Sequence, residues 1–342
     1  TPADGMVTGI GSVNGSLFPG GHNQCILMSY DYMVLAGTQG LQNHRKKDRM
    51  FEIAERMKLP IILLAEGGGG RPGDTDTSSI AGLDCIAFTL YAKLSGHVPR
   101  VGIASGRCFA GNAALLGASD VVIATTASNI GMGGPAMIEG GGLGVFKPED
   151  IGPISVQRSN GVVDIVVESE AEAMQVAKKY LSYFQGVVTD WKQHDQRQLR
   201  FAVPENRLRV YDMRELINTL ADVESVLELR RDFGGIITSF ARIEGRPVGI
   251  IANNPSILSG AIDSNSADKA SRFLQLCDAF NIPVLSLCDT PGIMVGPEVE
   301  KSAGETCRQT ICHCREYFSP VDDDCHQKGV WPWGYGYGRR KL

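Results

Sequence analysis

Apolar residues recur along this chain at two spacings. Over residues 43–57 and 266–280 they return every three or four positions, which predicts one buried face of an α-helix in each segment. A hairpin signal, two β-type runs broken by Asn or Gly, precedes each helix, and a short buried-strand pattern closed by a glycine turn follows it. The two blocks are copies. Leu35-Ala36-Gly37 recurs as Leu258-Ser259-Gly260, Lys46 as Lys269, and Leu59-Pro60-Ile61 as Ile282-Pro283-Val284, each displaced by 223 positions (260 minus 37). The correspondence runs without a gap to Gly69 and Gly292. A constant displacement that carries Lys, Pro and Gly along with the apolar positions marks a duplication. The chain therefore reads as two similar α/β lobes, each containing a β-α-β layer.

Between the copies, Gly161-Val162-Val163-Asp164 predicts a strand and residues 170–184 a helix, whereas residues 193–209 are polar, aperiodic and contain Pro204. The lobe boundary is placed in that stretch, giving domains 1–195 and 196–342.

A chain of 342 residues with 43% hydrophobic content supports two cores. Its 38 acidic and 33 basic residues are interspersed and form no basic stripe, so nucleic acid is not an expected partner. No apolar run approaches the roughly 20 residues of a membrane span, and the N-terminus has no secretion pattern, so no membrane partner and a cytoplasmic location are expected. Cys25, Cys85, Cys108, Cys277 and Cys288 lie singly in apolar segments, as reduced buried thiols do. The chain opens at Thr1 directly on a turn-and-strand signal, so a preceding portion is expected.

The segment richest in possible chemistry is 101–134. A strand (101–104) leads through Gly106-Arg107-Cys108-Phe109-Ala110-Gly111-Asn112 into a small-residue helix (113–117) and a strand (120–124). First-turn N–H groups of a helix lack intrahelical partners and sit at the positive end of its dipole, so they can hold an oxygen on which charge develops. The glycines also suit a purely structural strand-to-helix crossing, and alone they do not decide.

Two nucleotide motifs are rejected. Gly67-Gly68-Gly69-Gly70-Arg71-Pro72-Gly73 lacks the Lys and hydroxyl residue of a phosphate loop. Gly131-Met132-Gly133-Gly134-Pro135-Ala136 formally fits a dinucleotide fingerprint, but Pro135 and the glycines after Glu139 predict a loop where that fold needs a helix. His22, His44, His97 and His194 are scattered, and no metal site is expected. A reaction whose base belongs to a cofactor needs mainly preorganised backbone donors from its protein.

From Asp4 to about Ala303 the chain resembles the carboxyltransferase components of biotin-dependent acyl-CoA carboxylases, of the acetyl- and propionyl-CoA carboxylase type, within the crotonase superfamily. The resemblance rests on Asp4-Gly5-Met6-Val7-Thr8-Gly9, Cys108 to Asn112, Ser159-Asn160-Gly161-Val162-Val163-Asp164 and Tyr211-Asp212-Met213-Arg214. In the second lobe Phe240-Ala241-Arg242-Ile243-Glu244-Gly245-Arg246-Pro247, Leu276-Cys277-Asp278-Ala279-Phe280-Asn281-Ile282-Pro283 and Asp289-Thr290-Pro291-Gly292 extend it.

The resemblance implies two crotonase-type β-β-α superhelical lobes and carboxyl transfer from carboxybiotin to the α-carbon of acetyl- or propionyl-CoA. Biotin, borne on a carrier domain, and a coenzyme A thioester would be the cofactor and substrate, with biotin carboxyl carrier and biotin carboxylase domains or subunits as partners. The site would lie between subunits of a homo-oligomer. By position Ala110, Gly111 and Asn112 would supply the oxyanion hole, and Gly106, Phe109, Gly133 and Gly134 would line the substrate. Asp289, Thr290, Pro291 and Gly292 would form the wall near biotin. Asn112 departs from the commoner pattern, which has a second glycine. The alternatives are another crotonase reaction, a hydratase or decarboxylase, for which Glu66 and Glu139 are the nearest carboxylates, and an inactive truncated gene product.

Residues 304–342 hold four cysteines and two tryptophans without periodicity. Cys307, Cys312, His313, Cys314, Cys325 and His326 fit no usual zinc spacing. Permitted codons from Glu305 onward, read one base over, can yield a strand, a turn and a glycine helix where the repeat expects a second oxyanion hole. A frameshift before Glu305 is therefore expected, leaving a second lobe truncated or disordered at its C-terminal end and activity low or lost.

Overall fold

In the computed structural model the chain divides into two units, Thr1–Gln185 and Gly186–Leu342. The structure describes residues 4–20, 22–71, 86–206, 209–297 and 299. The sequence expectations for residues 304–342 and for Cys85 lie outside the described residues.

The first unit opens on the expected hairpin, β1 (Met6–Ser12) and β2 (Gln24–Tyr30), followed by α1 (Leu41–Met57) and β3 (Ile61–Leu64). After α2 (Ala87–Lys93) come β4 (Arg100–Ala104), β5 (Arg107–Phe109), α3 (Ala110–Gly117) and β6 (Val121–Thr125). Then follow β7 (Asn129–Gly131), α4 (Pro135–Gly140), α5 (Ile154–Gln157), β8 (Ile165–Val167) and α6 (Glu170–Ser182). Six strands form one sheet in the order β1-β2-β3-β4-β6-β8, antiparallel at the hairpin and parallel beyond it. Parallel strands need covered faces, and β3, β4 and β6 are accordingly apolar and buried almost throughout. A separate two-stranded sheet pairs β5 with β7.

The second unit contains α7 (Met213–Leu220), β9 (Leu227–Leu229), β10 (Ile237–Ile243), β11 (Arg246–Ala252), α8 (Ser264–Ala279) and β12 (Val284–Leu287). Its sheet runs β12-β11-β10-β9, with β11 and β12 parallel.

The repeat holds in backbone detail. Left-handed residues occur at Leu35, Ala36, Gly37 and Lys58, and again at Leu258, Ser259, Gly260 and Asn281. Isolated bridges join Gln39 to Gly70 and, at the same displacement, Ile262 to Ile293. Gly37 and Gly260 need to be glycine, because a Cβ would stand 2.8 Å from Glu66 O in one unit and 2.3 Å from Asp289 O in the other.

Three local expectations are corrected. The helix after β5 begins at Ala110 rather than 113, with Ala110 itself at φ 51. Residues 161–164 are not a strand: Gly161 has φ 80, Val163 N donates to Gln157 O, and Asp164 grips Val122 through its own N–H and carboxylate, so pairing starts only at Ile165. A six-residue helix follows Gly134 where a loop is expected, because Pro135 occupies its first turn, the position at which a missing N–H and a fixed φ cost nothing.

His44, half-buried on α1 with its ring 6.4 Å from that of Phe88, is pushed down to about 4, first by burial and then by the Lys47 ammonium. The folded chain thus keeps this imidazole neutral where the unfolded chain, with an ordinary value near 6.5, takes a proton. Its contribution to stability is complete above pH 6.5 and is lost as pH falls toward 4. Denaturation midpoints of His44→Gln and wild type, compared between those values, should converge as pH falls; parallel curves would refute this.

Candidate functional site

The predicted crossing is built by a short strand, a glycine turn and a helix start. Gly67 N donates to Arg107 O at 2.7 Å and Phe109 N to Gly67 O at 2.9 Å, so the turn over residues 67–70 is laced to β5. Gly69, with φ 86, lies against the start of α3, since a Cβ there would stand 2.7 Å from the Ala110 Cβ and 3.2 Å from Gly111 N. Phe109, buried and extended, is the N-cap residue and offers no side-chain cap. The N–H groups of Gly111 and Asn112 therefore stand in the first turn, at the positive end of the helix, with no helix carbonyl one turn behind them.

Gly111 is tightly enclosed, a Cβ on it lying 3.1 Å from Phe88 Cζ and 3.3 Å from Gln39 Nε2. Asn112 is fully buried, and its Nδ2 donates to Gly37 O at 3.0 Å and to Glu66 O, while its Oδ1 accepts from Gln39 Nε2 at 2.5 Å. The asparagine is a bridge between α3, Gln39 and the backbone on both sides of the turn.

Of the other expected residues, Gly106 faces the Glu66 carboxylate, 3.5 Å from where a Cβ would lie, and Gly134 packs on Phe109 at 3.6 Å by the same measure. Gly133 turns to Met137. The structure thus brings Gly106, Phe109, Ala110, Gly111, Asn112 and Gly134 around one crossing. The Glu66 carboxylate is engaged by Ser105 Oγ, which also reaches Glu170 Oε1 at 2.5 Å, and Glu139 lies exposed on α4. Cys108, buried behind the strand, has its thiol pushed up, mainly by burial and further by Glu66. Beside α3 an apolar cavity of about 210 Å³ is lined by Ala113, Leu116, Val122, Ile130, Met132 and Val162 among others.

Asp289, Thr290, Pro291 and Gly292 lie in the second unit, after β12, where the repeat places the counterpart of the residue 66–69 turn. Ile262 N donates to Gly292 O at 3.0 Å as Gln39 N does to Gly69 O at 2.7 Å. Gly292 N donates to Thr290 Oγ1 at 3.0 Å, and Tyr211 OH to Asp289 Oδ2 at 2.8 Å. Burial and that carboxylate push the Tyr211 phenol up. Among the described residues, a Cβ on Gly292 would meet nothing within 4 Å.

Sequence reading missed Gln39, Lys47 and the turn's position against α3. A signal was present for Lys47: it falls with Asn43, Met50, Phe51 and Ala54 on the buried face of α1, where helical spacing calls for an apolar residue.

Residues 1–304 match the carboxyl transferase domain family. The chain belongs to that family. A single-chain, multi-domain long-chain acyl-CoA carboxylase of solved structure is similar at 55% identity and a TM-score of 0.90, over 94% of this chain and 32% of its own. The carboxylase YngE of Bacillus subtilis, itself uncharacterised, is 35% identical over 88% of this chain and 60% of its own length. The beta4 subunit of a biotin-dependent long-chain acyl-coenzyme A carboxylase from Mycobacterium tuberculosis is 33% identical over 87% of this chain and 58% of its own. The chain therefore spans little more than half the length of these two curated relatives. The resemblance drawn from the sequence and the α/β crotonase-type fold both hold for this chain.

Proposed function

We propose that this chain is a carboxyltransferase component that moves a carboxyl group from carboxybiotin to the α-carbon of an acyl-CoA, with its first unit as the acyl-CoA side. The observation that carries the reading is the uncapped first turn of α3, with Gly111 and Asn112 N–H presented beside the residue 67–70 turn. Such donors stabilise a thioester oxygen more as it gains enolate charge than in the ground state, which is what acceleration requires. Ala110, Gly106, Phe109 and Gly134 position this turn, and Gly133 borders it. Carboxybiotin, brought by a carrier partner, would supply both the carboxyl group and the base. That division of labour fits a crossing whose donors are backbone groups. The Thr290-Pro291-Gly292 backbone, with Asp289 held by Tyr211, would meet the biotin ring in an oligomer.

The acyl group separates two readings. Acetyl- or propionyl-CoA is the expectation from the sequence. A longer acyl chain is favoured by the cavity of about 210 Å³ beside α3, larger than the ~150 Å³ apolar cavity known to admit benzene.

Biotin-dependent decarboxylation of malonyl-CoA, methylmalonyl-CoA and a long-chain carboxyacyl-CoA by the purified chain tests both readings. Weak carbon dioxide release that requires biotin is expected, in keeping with the low activity expected from the sequence, and the preferred chain length chooses between them. Release without biotin, or hydration of an enoyl-CoA that is lost on Glu139→Gln, would replace the proposal with a different crotonase reaction. CoA binding without any turnover would mark a fragment that retains only its substrate site.

A further inference from the structure

A fully buried lysine stands behind the first turn of α3. Lys47 Nζ donates to Gln39 Oε1 at 2.7 Å and to Tyr30 OH at 3.0 Å, and it lies 5.3 Å from the centre of the Tyr30 ring. Gln39, itself buried, passes the polarity on, for its Nε2 donates to Asn112 Oδ1 at 2.5 Å and lies against Gly111. Asn112 Nδ2 then donates to Gly37 O and Glu66 O. Two amide dipoles are thus aligned head to tail from an ammonium to the carbonyls that flank the glycine turn.

Burying an ammonium costs several kcal/mol, and two of the acceptors met here are neutral. The second unit buries a lysine one residue earlier on α8, Lys269, whose Nζ donates to Arg230 O at 2.7 Å, but it places none at the position of Lys47. The second unit builds the same layer with Ile262 and Ala270 at the positions of Gln39 and Lys47. It also keeps the left-handed turn, the bridge at Ile262 and the backbone hydrogen bond to Gly292. The polar chain therefore serves what the first unit adds at that place, the N-terminus of α3.

We propose that Lys47, Gln39 and Asn112 form a charged positioning relay for the Gly111 and Asn112 N–H groups, an inference that rests on the thioester reading above. Asn112 ties the helix start to both sides of the turn, so that the backbone donors stay aligned. The ammonium, held in a low-dielectric interior, raises the positive potential where enolate charge develops. None of the three side chains is assigned a contact with substrate.

The test compares wild type with Gln39→Ile, Lys47→Ala and the double variant, residues that the second unit already accommodates in the same layer. Each full chain is titrated by calorimetry with an acyl-CoA thioester and with the corresponding thioether, which lacks the carbonyl. Wild type is expected to prefer the thioester. In the variants thioether affinity should be retained while the preference falls to within about twofold of unity, because misaligned donors no longer favour the carbonyl oxygen. Lys47→Arg, which keeps the charge, should restore most of it, an effect that a merely space-filling lysine would not produce. Variants that keep the full preference would overturn the relay and leave the thioester reading standing. A wild type that binds both ligands equally, or neither, would overturn the thioester reading and the relay together. If Lys47→Ala fails to fold, Gln39→Ile and Lys47→Arg decide the matter by the same comparison.

Discussion

Replacing Gly67 with alanine should destabilise the first unit by roughly 3–5 kcal/mol, the sum expected of a forced left-handed non-glycine residue and an overpacked contact. Gly67 has φ 107, and a Cβ there would stand 2.3 Å from Gly37 O and 2.5 Å from Gly37 C, both backbone atoms that no rotamer change can move aside. Relief requires the residue 67–70 turn to part from Gly37. That shift would break the hydrogen bonds Gly67 makes with Arg107 and Phe109 and displace the start of α3 with them. Urea denaturation should therefore show a lowered midpoint, and the molecules that remain folded should have lost thioester preference. A variant with wild-type stability would show that the turn and Gly37 can separate without consequence. Loss of stability with preference intact would uncouple the turn from the donors.

The second large effect separates stability from chemistry. Arg100 opens β4 with its guanidinium buried, Nη2 at 2.5 Å from Asp120 Oδ1, while its own N–H donates to Asp120 Oδ2 at 2.8 Å. Arg100 Nη1 also donates to Tyr91 O at 2.9 Å, and the group lies over the Tyr91 ring. Asp120→Ala strands a buried cation and should cost about 3–5 kcal/mol, the range for removing one partner of a buried pair. Asp120→Asn keeps a neutral acceptor and should cost less. The pair sits at the opposite ends of β4 and β6 from the crossing into α3, so ligand affinity per folded molecule should not change. A cost below about 1 kcal/mol would place this pair with surface ion pairs, and a loss of thioester preference would tie it to the site.

Much of the local structure was legible in the residues. The helices α1 and α8, the hairpins before them and the strands after them follow from apolar spacing, because a face that must be buried repeats with the period of its backbone. The duplication was legible for a related reason: the left-handed residues that recur at Leu35 to Gly37 and Leu258 to Gly260 answer one geometric demand, the close approach of the following turn. The strand-to-helix crossing was also legible, since small residues between a strand and a helix leave a mark on the sequence, although its helix starts at Ala110 and not at 113. Sequence patterns failed where one hydrogen bond or one proline outweighed composition, as at Asp164, which delays β8, and at Pro135, which starts α4.

What the sequence determined by itself was the family and the repeated layer, the layer because its spacings survive in one dimension. Only the tertiary structure decided that the residue 67–70 turn lies on α3, that Asn112 bridges Gly37, Glu66 and Gln39, and that Lys47 stands behind them. Residues 39, 47, 66 and 112 meet because parallel strands bring their ends to one place, and a polar contact between residues 73 positions apart leaves no periodic trace in the chain.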